Sequence, residues 1–431
     1  MSTTWRPTTA LLRATLASLT LCVVGVVAAR PDLLVLAAPL VVCASVAVRH
    51  RPTREPHARS ALLHASLREG EGTAVRVTVS DGEDVEQVVA ALTPRSFLAY
   101  SPPHGVRGVT SQAGEGTVVL DVPVATMRWG RRSVGDGLVA GTSAWAGFRW
   151  GPVDLYSQTL TTLPMPGRFD TRAPTPHPIG LVGSNPGRRP GDGTEFASIR
   201  PFVPGDRLRR VQWRVSLRTG VLHVTSTHSE EDSSILLILD AVADLGTGDG
   251  IHGRSSSLDV SVRAAVAVAE HYLQRGDRVG LRVLGSTRHS TVATGAGARH
   301  LRRLLDTLAF IVPGTDRAVD PIRMQFGLTD GMVAIVLSPM LSEESIGATL
   351  SLAQRGLSVI VVDTMPERLD LGDDDPRLAL AWRMRSLERD ALLRTVQRSG
   401  VPVVPWRGPG TLDEVLRRLG RRASMPRMAR R

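Results

Sequence analysis

Lysine is absent from this 431-residue chain, and all 52 of its cationic residues are arginine. An arginine-only bias follows genome composition before it follows function. The formal net charge of +11 therefore does not by itself mark a nucleic-acid binder. Aromatic residues make up only 4% of the chain, too few to interleave stacking rings with a basic patch, so no nucleic-acid partner is expected. The basic balance suits anionic surfaces instead, such as inner-leaflet lipid or an acidic protein. Cysteine is also scarce. Cys22 and Cys43 both lie in apolar N-terminal segments, which excludes a disulfide framework and a cysteine zinc site. No phosphate-binding G-x-x-x-x-G-K-[ST], no H-E-x-x-H, no G-x-S-x-G elbow and no C-x-x-C is found. His223, His228, His252, His271, His289 and His300 show no ligand spacing. Gly295-Ala296-Gly297-Ala298 reads as a turn that starts a helix rather than as an anion site. No catalytic residue and no cofactor-binding residue is assigned, and the chain is not expected to be an enzyme.

What is present belongs to a folded protein: 42% hydrophobic and 22% charged residues. The length calls for two or three units rather than one core. Ala14 to Ala29 and Leu33 to Val48 carry no charge and are separated by Arg30, Pro31 and Asp32. Each run is roughly 16 residues, or about 24 Å of helix, short of the ~30 Å hydrocarbon core. Thr8 to Ala10 extend the first run, with Arg13 snorkelling to the headgroups. The second run follows within three residues, which favours a helical hairpin over a cleaved signal peptide. Arg6 and Arg13 precede the first run, and Arg49, Arg51, Arg54 and Arg59 follow the second. The positive-inside rule then places both termini in the cytoplasm, for a two-helix protein of the cell membrane.

The organisation expected along the chain has six parts. Residues 1–50 form the transmembrane hairpin. Residues 60–168 form a β-rich, sandwich-like region, with strands over 74–79, 87–92, 117–122 and 137–140. Residues 169–192 are a Pro/Gly-rich linker. Residues 193–230 are a distinct arginine-rich segment, and 231–422 alternate strands and helices, ahead of a basic tail at 423–431. In the last large unit, Ser233 to Ala241 is a buried central strand reaching Asp240. Further strands are expected over 278–284, 332–338, 357–362 and 401–406. Helices are expected over 258–274, 298–310, 343–355, 377–398 and 412–419. That alternation predicts an α/β fold with a doubly wound, mainly parallel sheet.

The segment from Gly193 to Val224 is the most unusual. Pro204-Gly205-Asp206 fits a tight turn. Val211, Trp213 and Val215 alternate with polar residues, so that one face can pack. Glu195 and Asp206 are the acids among Arg200, Arg207, Arg209, Arg210, Arg214 and Arg218, a composition suited to Arg–carboxylate pairs. Glu195, Arg200, Asp206, Arg209 and Trp213 are expected to form one structural junction between the β-rich region and the following sheet.

Gly193, Glu195, Phe196, Arg200, Pro204, Gly205, Asp206, Arg209 and Trp213 stand where the bacterial family called domain of unknown function 58 has its hallmark, which this segment closely resembles. Phe202 replaces the usual Tyr, Val211 the usual Ile, and Leu217-Arg218 stands where Ala-Arg is usual. The resemblance implies a membrane tether, a von Willebrand factor A-like domain and association with a MoxR-type AAA+ ATPase in protein or complex maturation. It implies no reaction. Domains of that kind hold a divalent cation through D-x-S-x-S, a loop Thr and a further Asp, an oxygen set suited to Mg²⁺ or Mn²⁺. Here the sequence has Asp240-Ala241-Val242-Ala243-Asp244, and Ser338-Pro339 stands where the second Asp is expected. Asp240 and Asp244 are thus a degenerate candidate metal pair. The leading expectation is a membrane-tethered, non-enzymatic scaffold or adaptor presenting this domain to a cytoplasmic protein. The alternative is divalent-metal-dependent binding at the Asp240 pole.

Overall fold

The computed structural model describes residues 4–111, 116–167, 186–203, 206, 208–230, 234–285, 291–314, 332–367, 375–413 and 416, with the backbone alone at 186–197 and 227–230. The chain divides into two compact units, Met1–Leu163 with Gly250–His252, and Pro164–Asp249 with Gly253–Arg431.

The first unit carries, in chain order, β1 (Arg6–Pro7), α1 (Thr9–Val27), α2 (Pro31–Arg49), β2 (His57–Leu62), β3 (Ser66–Arg68), β4 (Gly72–Ser80), β5 (Val85–Leu92), β6 (Leu98–Tyr100), β7 (Val106–Thr110), β8 (Thr117–Thr126), β9 (Gly130–Val134), β10 (Gly137–Ser143), β11 (Phe148–Leu155) and β12 (Gln158–Leu163). The Thr8 side chain caps α1 by accepting from the Leu11 amide, and Pro31 at the first position starts α2. Gly25 lets the returning helix approach: a Cβ there would lie 3.2 Å from the Arg30 carbonyl oxygen and 3.3 Å from Leu33 Cβ. Both helices are 19 residues long, with mean hydropathy of 2.0 and 2.1, long and apolar enough to cross a membrane. Their large side chains face outward, Leu16 at 64% and Val27 at 82% exposure.

The rest of this unit is sheet. One sheet has the order β1-β11-β10-β5-β7, a second β2-β4-β8-β6, and a third β3-β12-β9. Alternation builds the shared core. Val75, Val77 and Val79 of β4 pair with Val122, Leu120 and Val118 of β8, and all six are buried. The same core takes Val88 and Ala90 of β5, Val139 of β10 and the fully buried Trp150 of β11. Each such valine contributes about 1.5–3 kcal/mol relative to exposure. The outer face is polar, as at Arg76, whose guanidinium donates two 2.8 Å bonds to Asp121. Strands β2, β3, β6, β7, β9, β11 and β12 add to the four expected. They are short or polar on one side, and pairing rather than their own pattern defines them.

The second unit opens with β13 (Pro186–Pro201), α3 (Trp213–Thr219) and β14 (His223–Glu230). It continues with β15 (Ser234–Asp240), α4 (Ser257–Gln274), β16 (Arg278–Leu284), β17 (Thr291–Gly295), α5 (Ala298–Ala309), β18 (Val333–Ser338), α6 (Glu343–Gln354), β19 (Ser358–Asp363), α7 (Pro376–Arg398) and β20 (Val403–Pro405). The six-stranded sheet has the order β17-β16-β15-β18-β19-β20. It is parallel except for the edge strand β17, which pairs antiparallel to β16. Leu236, Ile238, Ala334, Val336, Val359 and Val361 face a core shared with α6 and the end of α7. The alternate residues Ile235, Leu237, Leu239, Ile335 and Leu337 are buried too, so both faces of the central strands are covered.

Two sequence expectations change here. Pro186 to Asp192, assigned to the linker, belongs to β13, because β14 supplies antiparallel partners that proline and glycine composition does not reveal. The alternation from Val211 to Val215 does not continue as a strand: Val211 bridges Val224 and Trp213–Thr219 is helical. Ser216 Oγ donates to the Gln212 carbonyl oxygen at 2.9 Å, and Gly220 closes the helix in the left-handed region at φ 70°. The expected strand over 401–406 is the shorter β20, and the expected helix over 412–419 is described only at residues 412, 413 and 416. The tail at 423–431 and most of the linker lie outside the described residues.

Candidate functional site

Parallel strands connected by helices leave their carboxyl ends free of crossovers at the point where strand order reverses, here between β15 and β18. β15 ends on Asp240 and β18 on Ser338, side by side. Asp240 is buried at 3% exposure. Its Oδ2 accepts from Ser338 Oγ at 2.6 Å and more distantly from Ser342 Oγ at 3.5 Å, while Oδ1 accepts from the Val242 amide at 3.1 Å. Burial pushes the Asp240 carboxyl above the ordinary carboxylate range, and the hydrogen bonds from Ser338 and Val242 oppose that shift in part.

Asp244 serves another element. Its Oδ1 accepts from the Leu258 amide at 3.1 Å and so supports the first turn of α4. That turn also has a reciprocal capping box between Ser256 and Asp259. A hard divalent cation needs several converging oxygens. Here one candidate carboxylate already accepts from Ser338 and Val242, the other is turned to a helix start, and Val242 and Pro339 offer no side-chain oxygen. The described residues at this pole do not fit a cation cage.

What the pole offers is an apolar cavity of about 450 Å³. Val242, Ala243 and Leu245 wall it beside Asp240, and Pro339, Leu341 and Ser342 wall it beyond Ser338. Leu378, Ala381, Trp382 and Arg385 of α7 form the remaining side. The length of α7 explains this wall. Its 23 residues span about 34 Å, whereas the six residues of β19 span about 20 Å, so the first turns of α7 overhang the sheet. Only the second half of α7 packs on the sheet, through Leu392, Leu393 and Val396. Two arginines hold the overhang. Arg389 Nε donates to the Pro339 carbonyl oxygen at 2.7 Å and its guanidinium pairs with Asp363, the two side chains 11% and 16% exposed. Arg385 donates to the Leu341 carbonyl oxygen at 2.5 Å. Sequence reasoning assigned α7 no site role. Its Leu378, Trp382, Arg385 and Arg389 follow at spacings of four, three and four, one helix face, and that stripe was the available signal.

The arginine-rich segment is dispersed. Arg200 and Asp206 come together: two guanidinium nitrogens donate to the two carboxylate oxygens at 2.8 and 2.6 Å, and the Val203 amide donates to Asp206 at 2.9 Å. The Arg200 guanidinium, then the Val203 amide, holds the Asp206 carboxyl below its ordinary range. Arg209 sits on an exposed single 3-10 turn, and Trp213 is 62% exposed. The face expected to pack through Val211, Trp213 and Val215 therefore does not include the Trp213 ring. The helix that begins at Trp213 turns its ring, and Leu217 one turn later, outward. Glu195 lies in β13, where the backbone alone is described, and Pro204 and Gly205 lie outside the described residues.

These features define a mixed α/β protein with two N-terminal apolar helices, sheet-rich regions and a pole cavity. Residues 198–377 match the family model described as Protein of unknown function DUF58. The match runs from the end of β13 to the start of α7. It includes Arg200, Asp206, Arg209, Trp213, Asp240 and Asp244, and leaves Glu195 and the α7 wall outside. The chain is also similar to uncharacterized proteins of Mycobacterium bovis and of two Mycobacterium tuberculosis strains, CDC 1551 and H37Rv. Each is 30% identical over 129 residues, which is 30% of this chain and 40% of the relative. The chain thus spans well under half the length of the curated relatives it matches. Among solved structures, the cupredoxin domain of amoB from Nitrosocaldus yellowstonii aligns with 26% of this chain and 88% of its own. Its 11% identity and TM-score of 0.16 carry no argument.

Proposed function

We propose that this chain is a membrane-tethered, non-enzymatic adaptor whose second unit is a doubly wound, von Willebrand A-like domain that receives a cytoplasmic protein at its carboxyl-end pole. The observation that carries the reading is the apolar cavity walled by the overhanging half of α7. Ligands of open α/β sheets bind at that pole, and an apolar wall with few polar groups suits an apolar side chain of a partner. The strand order, with β17 alone antiparallel, supports the doubly wound reading, and the shared core of the first unit supports a sandwich-like spacer. The two apolar helices, with arginines at their outer ends, support a cell-membrane hairpin with cytoplasmic termini. The partner class implied by the family resemblance is a MoxR-type AAA+ ATPase. Metal-dependent binding at Asp240 is the lesser reading, because its carboxylate already accepts from Ser338 and Val242.

The test uses the full-length chain in lipid nanodiscs and the purified MoxR-type ATPase from the same genome. Trp382→Arg, at the half-buried cavity wall, is expected to weaken binding at least tenfold with an unchanged melting temperature. Wild-type affinity in that variant would remove the pole from the interface.

A further inference from the structure

Where α1 begins and α2 ends, the first unit folds a sheet loop against the hairpin. Residues 144–147 join β10 to β11 there. The Thr8 amide donates to the Gly147 carbonyl oxygen at 2.9 Å, and Thr8 Oγ1 donates to that of Ala146 at 2.7 Å. Ala47, in the last turn of α2, lies so close that a Cβ on Gly147 would stand 2.8 Å from its Cβ. Phe148 is buried with Leu11, Ala44 and Ala47, and Trp5 packs against them. The loop is thus fixed at the level of the hairpin's outer ends.

Trp145 stands out of this fixed loop. It is 66% exposed, in a unit that buries Trp150 and Trp129 completely or nearly so. Its backbone and that of Ala146 adopt φ of 59° and 52°, a left-handed conformation that non-glycine residues rarely take. The Trp145 amide donates to Glu86 Oε2 at 3.1 Å. The strained turn is therefore anchored on both sides, and the indole points outward as a consequence. The flanking Arg149 is exposed and lies opposite Arg6 in the β1–β11 register.

We infer that the 144–147 loop is a membrane-interface anchor that seats the β-rich unit on the bilayer, with the Trp145 indole at headgroup depth and Arg6 and Arg149 toward anionic headgroups. The inference rests on the reading of α1 and α2 as membrane spans. Given those spans, the occupant of the Trp145 surface is set by its level: the first turn of α1 and the last turn of α2 mark the membrane–water boundary. An indole, with an apolar body and one N–H donor, prefers that boundary. Anionic lipid adds attraction for nearby arginines.

The experiment reconstitutes the full-length chain, with Cys22→Ala and Cys43→Ala, into vesicles of phosphatidylcholine and phosphatidylglycerol. A single cysteine at a chosen position carries an environment-sensitive fluorophore. Trp145→Cys and, as a second loop position, Ala146→Cys are compared with Tyr156→Cys, a site of 85% exposure on the same unit, and with Val35→Cys within α2. Labels at 145 and 146 are expected to be quenched by lipid carrying a shallow spin label and shielded several-fold from aqueous iodide relative to 156. Iodide access at 145 and 146 equal to that at 156, with the label at 35 still in lipid, overturns the anchor and leaves the spans standing. Iodide access at 35 overturns the spans and the anchor with them.

Discussion

Asp240 ends the central strand with its carboxylate buried, and among the described residues its partners are hydroxyl and amide dipoles rather than a cationic side chain. Its folded pKa lies above the unfolded one. Between those two values the folded state binds more protons, so stability falls as pH rises through the folded pKa. Asp240→Asn keeps an acceptor for Ser338 and removes the charge. Its melting temperature, relative to wild type, is expected to rise as pH climbs above the ordinary carboxylate range, followed by calorimetry from pH 4 to 8. A stability difference from wild type that stays the same at every pH would contradict the raised Asp240 pKa. The degenerate metal motif was legible in the sequence from Val242 and Pro339. The Ser338 hydroxyl on the carboxylate was not, because it comes from a strand 98 residues away.

Elements were legible where their own pattern decides them. β15, β18 and β19 are short apolar runs, and α4 and α6 begin at Ser256 and Ser342, which cap them. β17 was missed because Thr291–Gly295 is short and half polar and gains its identity from β16. Trp213–Thr219 deceived in the other direction: three alternating residues mimic a strand, while the i, i+4 pair Trp213 and Leu217 shares a helix face. The overhang of α7 is a property of length, visible only once β19 is placed beside it. Arg389 is the residue that fixes it. Removing one partner of a buried ion pair leaves the other charge stranded, so Arg389→Ala is expected to cost about 3 kcal/mol in denaturant unfolding, through Asp363 and the Pro339 carbonyl. A loss below about 0.5 kcal/mol would mean that α7 is held elsewhere.

At the scale of the whole molecule, arginine placement and the two apolar helices support the proposed hairpin with both termini inside. Arg6 and Arg13 lie at the start of the hairpin, and Arg49, Arg51, Arg54 and Arg59 at its end. Arg30 in the connecting turn is paired with Asp32. A C-terminal fusion to a reporter active only outside the cytoplasm is expected to be inactive, and activity would invert the topology. With the termini inside, as proposed, the second unit lies among cytoplasmic proteins, and Leu378 of α7, 38% exposed, lines its pole cavity. The most direct measurement is photo-crosslinking in the native cell, with a benzophenone amino acid at position 378 of the full-length protein. The account predicts one discrete protein adduct that disappears with Trp382→Arg and does not form from a control position at Arg303 on α5. An adduct that survives Trp382→Arg, or one that forms only from position 303, would contradict the pole as the partner site.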